Sequence, residues 1–327
     1  MKYWLSAVLA TAVVAAPLAA VAQTFPSRAV TIVVPFPAGS GTDVVARLVA
    51  AELQPRLGQP VVVENQPGAS GIVGTQAVAG AEPDGHTILL TSSSHAILPS
   101  TQDSLPFDVI ADFAPITMVS AGPIILTANK DLKAGNLDEL KALVQAEPDS
   151  ITFASTGGGT IPAMAFELLK MRTGMKMPHV NYSGGSTAIV DVMTGVTQLS
   201  FTAPSTALPY LESGDIKALG LSSVDRPKFI IDNPAFSSIK TLDEQGLTGF
   251  NVELWYGLFA PDGTPADAVG KLQAEVAEVL GSDAIAAKFS ELGVGARPTT
   301  AQEFADYLGA EVDQWKKLAA EMKAAGN

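Results

Sequence analysis

Two periods alternate along the chain. Short β-branched runs such as Thr31-Ile32-Val33-Val34 are followed by stretches whose apolar residues return every three or four positions, as at Val44, Val45, Leu48, Val49 and Leu53. The pattern predicts strands at 30–34, 60–64, 87–91, 115–119, 123–128, 150–154, 178–181, 197–202, 216–221 and 252–260. Helices are predicted at 42–57, 70–80, 136–146, 161–173, 184–194, 204–213, 265–281, 283–292 and 300–323. Strands alternating with helices specify an α/β fold. No solenoid repeat or low-complexity linker divides the chain, so two lobes, if present, are joined by continuous strands. The last helix carries Phe304, Tyr307, Leu308, Val312, Trp315 and Leu318 on one face, which covers the first lobe.

The join between the first strand and helix, PFPAGSGTDVVARLVA at 35–50, carries candidate chemistry. With Thr42 as N-cap, the backbone N–H groups of the first turn lack intrahelical partners and favour an anion. A phosphate-binding Walker A loop needs Lys after its last glycine, whereas Gly41 is followed by Thr42 and Asp43. A dinucleotide fingerprint needs a third glycine where Val44 stands. Asp43 would also repel a multiply charged phosphate, which leaves a singly charged carboxylate as the easier guest. An ordinary tight turn explains the same letters.

A second copy of this arrangement occurs more than one hundred residues later. Ile151-Thr152-Phe153-Ala154 is strand-like, Ser155-Thr156-Gly157-Gly158-Gly159-Thr160 is a glycine turn, and Ile161-Pro162 opens a helix with Pro in its tolerated first turn. Both turns end in Thr and lack Lys and Arg. Facing one another, two such helix starts would grip one anion from two sides, and closure of the lobes would strengthen the polar contacts. Two independent turns remain the alternative.

The first residues read as a leader. Lys2 is the positive end, Trp4 to Ala16 an apolar core too short to span a bilayer, and Ala20-Val21-Ala22 a cleavage site before Gln23. The expected product is soluble and exported, and a bacterial periplasm fits best. Charge and cysteine content narrow the partners. The formal net charge is −13 with no basic cluster, which argues against nucleic acid and anionic membrane surfaces. With no cysteine there are neither disulfides nor thiolate sites.

Catalytic and metal readings find little support. Ser93-Ser94-His95 is a superficial nucleophile–base pair, but no Gly-x-Ser-x-Gly elbow is present. His86, His95 and His179 lack metal-site spacing, and no cofactor is implied. His95, placed in a loop after a strand, would reach the cleft rim and donate to a carboxylate, or else cap a turn. Phe36 at the mouth of the first turn would stack on a flat or apolar ligand, or pack on the following helix. Trp255 and Tyr256 read as core.

The runs FPSRAVTIVVPFPAGSGTDVVARLVAAEL, LGQPVVVENQPGASGIVGTQAVAGAEPDGHTILL, FASTGGGT, HVNYSGG, GDIKALGLSS and WYGLFAPDGTP resemble the Bug-type receptors, the periplasmic solute-binding proteins of tripartite tricarboxylate transporters. The resemblance covers essentially the whole mature chain. It implies an α/β two-lobed periplasmic binding protein (Venus-flytrap) with two crossover strands, at Ile116–Ala128 and Gly249–Phe259. Domain one would be residues 23–121 plus 253–327, after a signal peptide at 1–22, and domain two 122–252. In the family the two glycine loops pinch a ligand carboxylate, partly through ordered waters, an arrangement that costs backbone donors little.

The resemblance implies ligand contacts from Phe36, Ala38, Gly39, Ser40, Gly41, Thr42 and Asp43 in the first loop and Ser155, Thr156, Gly157, Gly158, Gly159 and Thr160 in the second. Ser92, Ser93, His95, Thr202 and Ala203 complete the candidate set. Where many family members carry an Asp-Asn pair, this chain reads Phe201-Thr202-Ala203-Pro204. Loss of that carboxylate argues against an amino acid and toward a plain carboxylate with an apolar body, or is a change beyond the ligand's reach. The expected protein is a monomer that delivers an organic dicarboxylate or aromatic carboxylate to membrane transporter subunits. The alternative is a ligand-loaded co-receptor for a membrane sensor kinase.

Overall fold

The computed structural model describes residues 25–324 apart from 156, 158, 183 and 184, and of Ser186 the backbone alone. The leader at 1–22 and the site candidates Thr156 and Gly158 lie outside the described residues. The chain begins with β1 (Val30–Val34), α1 (Gly41–Leu57), β2 (Val61–Asn65), α2 (Ile72–Ala79), β3 (Thr87–Ser92), α3 (Ser94–Thr101) and β4 (Phe113–Pro123). It continues through β5 (Ile125–Asn129), α4 (Leu137–Ala146), β6 (Phe153–Ser155), α5 (Ile161–Thr173), β7 (His179–Asn181) and α6 (Gly185–Thr194). Next come β8 (Leu199–Thr202), α7 (Pro204–Ser213), β9 (Ile216–Leu221) and the short α8 (Lys228–Ile231). It ends with β10 (Glu253–Pro261), α9 (Ala266–Leu280), α10 (Asp283–Glu291), β11 (Gly295–Ala296) and α11 (Ala301–Ala324).

These elements form two lobes, each built on one sheet. The first sheet has the order β11-β4-β10-β3-β1-β2 and the second β7-β6-β8-β5-β9. The β1 strand pairs in parallel with β2 and β3, and β6 in parallel with β7 and β8. The loops that leave these parallel strands all emerge at their carboxyl ends, where open α/β sheets hold ligands. Strand β1 is almost wholly buried and α1 lays Val45, Ala46, Val49 and Leu53 against its sheet. Burial of Val30, Ile32, Val33 and Val34 on both faces of β1 explains why that strand was legible as a β-branched run.

A hydrogen-bonded seam joins the lobes. The β4 and β10 strands run antiparallel, Pro123 opposite Glu253, at the edge of the second lobe. There buried Ser222 ties both crossings together: its N–H donates to Ile124 O, and its Oγ accepts from Ile124 N while donating to Val252 O. Helix α11 is fixed to the first lobe by half-buried Glu311, which accepts from the indoles of Trp255 (3.3 Å) and Trp315 (3.1 Å). Burial pushes the Glu311 carboxyl above its ordinary value against those two bonds.

Candidate functional site

Four helices direct their first turns at the gap between the lobes. Gly39–Gly41 before and at α1, Thr160 before α5, Gly185 and Thr187 in α6, and Thr206 in α7 line one cavity of about 700 Å³ with Phe36, Ala38 and the segment 67–71. The positive ends of four helix dipoles therefore border this space from both sides. No charged side chain lines it among the described residues.

The start of α1 differs from expectation. Ser40, not Thr42, is the N-cap: its backbone is extended and its Oγ accepts from Asp43 N at 3.3 Å. Thr42 and Asp43 thus fall inside the helix and are buried in the first lobe, outside the lining of the cavity. The Asp43 carboxylate is instead a brace. Its Oδ2 accepts from Gly39 N (2.9 Å) and Arg47 Nε (3.0 Å), and its Oδ1 from Asn65 Nδ2 (2.9 Å), a group that also reaches Phe36 O. Burial alone would raise its pKa, but the bonds from Arg47, Gly39 and Asn65 outweigh it and hold the carboxyl below its ordinary range. The charge that counted against phosphate is thus already neutralised by Arg47 and faces away from the cavity.

The neighbouring turn at 67–71 was not foreseen. Gly68, Ala69, Ser70 and Gly71 all have positive φ, 149°, 47°, 57° and 98°. For Ala69 and Ser70 that conformation costs on the order of 1–2 kcal/mol each, a strain of the kind concentrated at binding sites. A Cβ on Gly71 would lie 3.4 Å from Phe36 Cζ, so the ring packs on this turn at the edge of the cavity. Across the gap a Cβ on Gly159 would lie 3.1 Å from Thr101 Oγ1 and 3.8 Å from Ser70 Cβ, so glycine lets the two lobes' loops approach.

In the second loop Gly157 has φ +104°, and its carbonyl accepts from Thr160 N (3.2 Å) and Thr160 Oγ1 (2.8 Å). Gly157→Val is therefore expected to distort the approach to α5 and to weaken ligand binding about tenfold or more, through a backbone cost of about 1–3 kcal/mol. Calorimetry and circular dichroism check this. An unchanged dissociation constant would remove the loop from the site.

The remaining candidates are not brought to the cavity. His95 lies in α3 rather than in a loop, and it is 1% exposed. Its Nε2–H donates to Val109 O at 2.9 Å, with Phe107, Phe113 and Phe259 around the ring. Burial drives its pKa down to about 4, so it is a neutral core residue within a helix, not a group in a loop at the cleft rim. Ser92 and Ser93 are buried beside it, with Ser93 N donating to Trp255 O. Ser155 sits beneath its loop, Oγ 2.6 Å from His179 Nε2. Thr202 Oγ1 pairs with Thr127 Oγ1 at 3.0 Å inside the second sheet, and Ala203 is the N-cap of α7.

In their place Ser205 and Thr206, one turn further on, reach the gap. The letters held a signal for the missed residues: PGASG at 67–71 and the glycine before Ser186 repeat the strand, glycine turn and helix order of the two recognised loops. Among the described residues no cluster of His, Cys, Asp or Glu would hold a metal ion.

Residues 45–323 match the model of the tripartite tricarboxylate transporter family receptor. Protein BugT of Bordetella pertussis is 35% identical over 318 residues, 97% of this chain and 95% of the relative. Among solved structures, an R. palustris protein with adipate is 30% identical with a TM-score of 0.83, covering 92% of this chain and 98% of its own. MatC from Rhodopseudomonas palustris, with bound malate, is 32% identical with a TM-score of 0.80, covering 90% of this chain and 100% of its own.

Proposed function

Because the chain belongs to the tripartite tricarboxylate transporter family receptors, we propose that it is exported to the periplasm, captures an organic carboxylate between its lobes and delivers it to membrane transporter subunits. The lobes in this reading are residues 23–121 with 253–327, and 122–252. One observation carries the ligand class: four helix starts from two lobes converge on a cavity with no charged side chain among its described lining residues. Such a site offers backbone and hydroxyl donors to one carboxylate, and it offers an ammonium group no partner. Phosphates would want the Lys or Arg that this lining lacks. The adipate and malate held by the two structural relatives are acids of the class proposed.

The test is a thermal-shift panel of mono-, di- and tricarboxylates, aromatic acids, amino acids and nucleotides on the mature protein. A carboxylate at a hundredfold excess over its dissociation constant is expected to add about 2.7 kcal/mol of stability. Stabilisation by a nucleotide with none by any carboxylate would overturn the reading.

A further inference from the structure

The helix starts also border a second space. Gly39, Gly41 and Thr206 border both the main cavity and a second chamber of about 230 Å³. This inner chamber has apolar walls from Val44, Val45, Leu292 and Val294, and Tyr256 of β10 stands against it. Tyr256 is 4% exposed overall, so its ring belongs to the core as its sequence context suggested. Its hydroxyl does not: the atom faces Gly41, where a Cβ would lie 2.6 Å from the hydroxyl oxygen and 3.6 Å from Cζ.

The missing side chain at position 41 thus makes room for one oxygen. Burial alone pushes the phenol upward, with no hydrogen bond to any described residue contributing, so the group remains an O–H donor at neutral pH. Because the hydroxyl opens on the chamber, it can donate to whatever acceptor enters there.

We propose that Tyr256 reads the far end of the ligand. The carboxylate lies among the helix starts, the carbon chain passes Gly41, and a distal acceptor, whether hydroxyl, carbonyl or second carboxylate, accepts from the Tyr256 hydroxyl in the inner chamber. The inference rests on the carboxylate reading above and adds to it the selected class: organic acids with an acceptor at the end remote from the carboxylate.

Calorimetry with hexanoate, 6-hydroxyhexanoate and adipate tests it on the mature protein and on Tyr256→Phe, Gly41→Ala and the double variant. Tyr256→Phe is expected to weaken 6-hydroxyhexanoate and adipate about tenfold, the value of one net hydrogen bond, while hexanoate changes less than about twofold. Gly41→Ala weakens all three acids by pressing on the phenol oxygen. In the double variant the closest atom to the new methyl is the ring carbon at ordinary contact distance, so hexanoate binding returns and that of the other two acids does not.

Equal losses for the three acids on Tyr256→Phe, or strictly additive effects at positions 41 and 256, would overturn the role of Tyr256 and leave the carboxylate site standing. Binding of none of the three by the unmodified protein would overturn the inference, and the broader panel then decides the carboxylate reading separately. Thermal unfolding of each variant shows whether a loss of binding reflects loss of fold.

Discussion

Asp43→Ala is expected to lower stability by about 2–3 kcal/mol and to weaken ligand binding about a hundredfold. The stability loss follows from three donors deprived of one acceptor: Gly39 N–H and Asn65 Nδ2 lose their bond inside the lobe, while half-exposed Arg47 is partly resolvated. The larger effect on binding has a geometric origin. Without the carboxylate the Phe36–Gly39 turn keeps only the bonds from Asn65 Nδ2 to Phe36 O and from Ser40 N to Pro37 O among the described contacts, and donors that converge less well lose the advantage of being prearranged. Asp43→Asn, which keeps one carbonyl oxygen for Gly39, should fall between the two.

The same network sets a pH dependence. The folded pKa of Asp43 lies below the ordinary carboxylate value, so its contribution is fully present above that ordinary value and is lost as pH falls through the lower folded one. From this group, stability is therefore flat from about pH 5 upward and declines below about pH 4. Urea unfolding and calorimetry on the two variants measure both effects. An unaltered dissociation constant in Asp43→Ala would mean the first loop holds its shape by other means.

Gly293→Ala is expected to hold the lobes apart. Gly293, between α10 and β11 in the first lobe, has φ +68°, and a Cβ there would lie 2.1 Å from Pro204 Cβ at the start of α7 in the second lobe. Neither proline nor the nearby Phe236 ring, 3.3 Å away, is the yielding end of a flexible side chain. Relief comes from separating α7 from the first lobe, which withdraws Ser205 and Thr206 from the cavity. The left-handed backbone adds about 1–2 kcal/mol. Affinity should fall at least about tenfold, with a larger radius of gyration by small-angle scattering in the presence of ligand. Gly309→Ala on α11, where a Cβ meets nothing within 4 Å, is the control and should leave both unchanged. Equal compactness of Gly293→Ala and the parent protein would show that the contact yields locally.

Much of the fold was legible because its strands and helices are long enough to show a period. The predicted bounds of β1, α5, α7 and β9 coincide with those observed, since glycine or proline stands at or near their ends. Helix α3 was missed for the opposite reason. Its eight residues are buried along Ser94–Leu98 without a polar face and contain Pro99, so no helical period emerges. The same error displaced His95: a polar residue after a strand looked like a cleft group, and only tertiary packing shows that aromatic rings surround it.

The site was legible to the extent that glycines announced it. Two loops were recognised as glycine turns before helices. The 67–71 turn was passed over because its tightest bends occupy Ala69 and Ser70, letters that give no sign of positive φ. Asp43 was placed in the right loop with the wrong orientation, since a carboxylate three residues after an N-cap can face the ligand or the turn, and the choice depends on Arg47 and distant Asn65. Tyr256 exposes a further limit of reading by residue: it is core by its ring and cavity by its oxygen.

The charge-free lining of the cavity has a consequence for how capture responds to the medium. A lysine-lined site draws anions in from a distance, and added salt slows that encounter. Here the net charge of −13 on the chain repels an anionic guest until it enters the gap. Dissolved ions screen that repulsion, so rising ionic strength speeds association while short-range hydrogen bonding, hidden between the lobes, changes little. Capture by a site built this way is not weakened by salt.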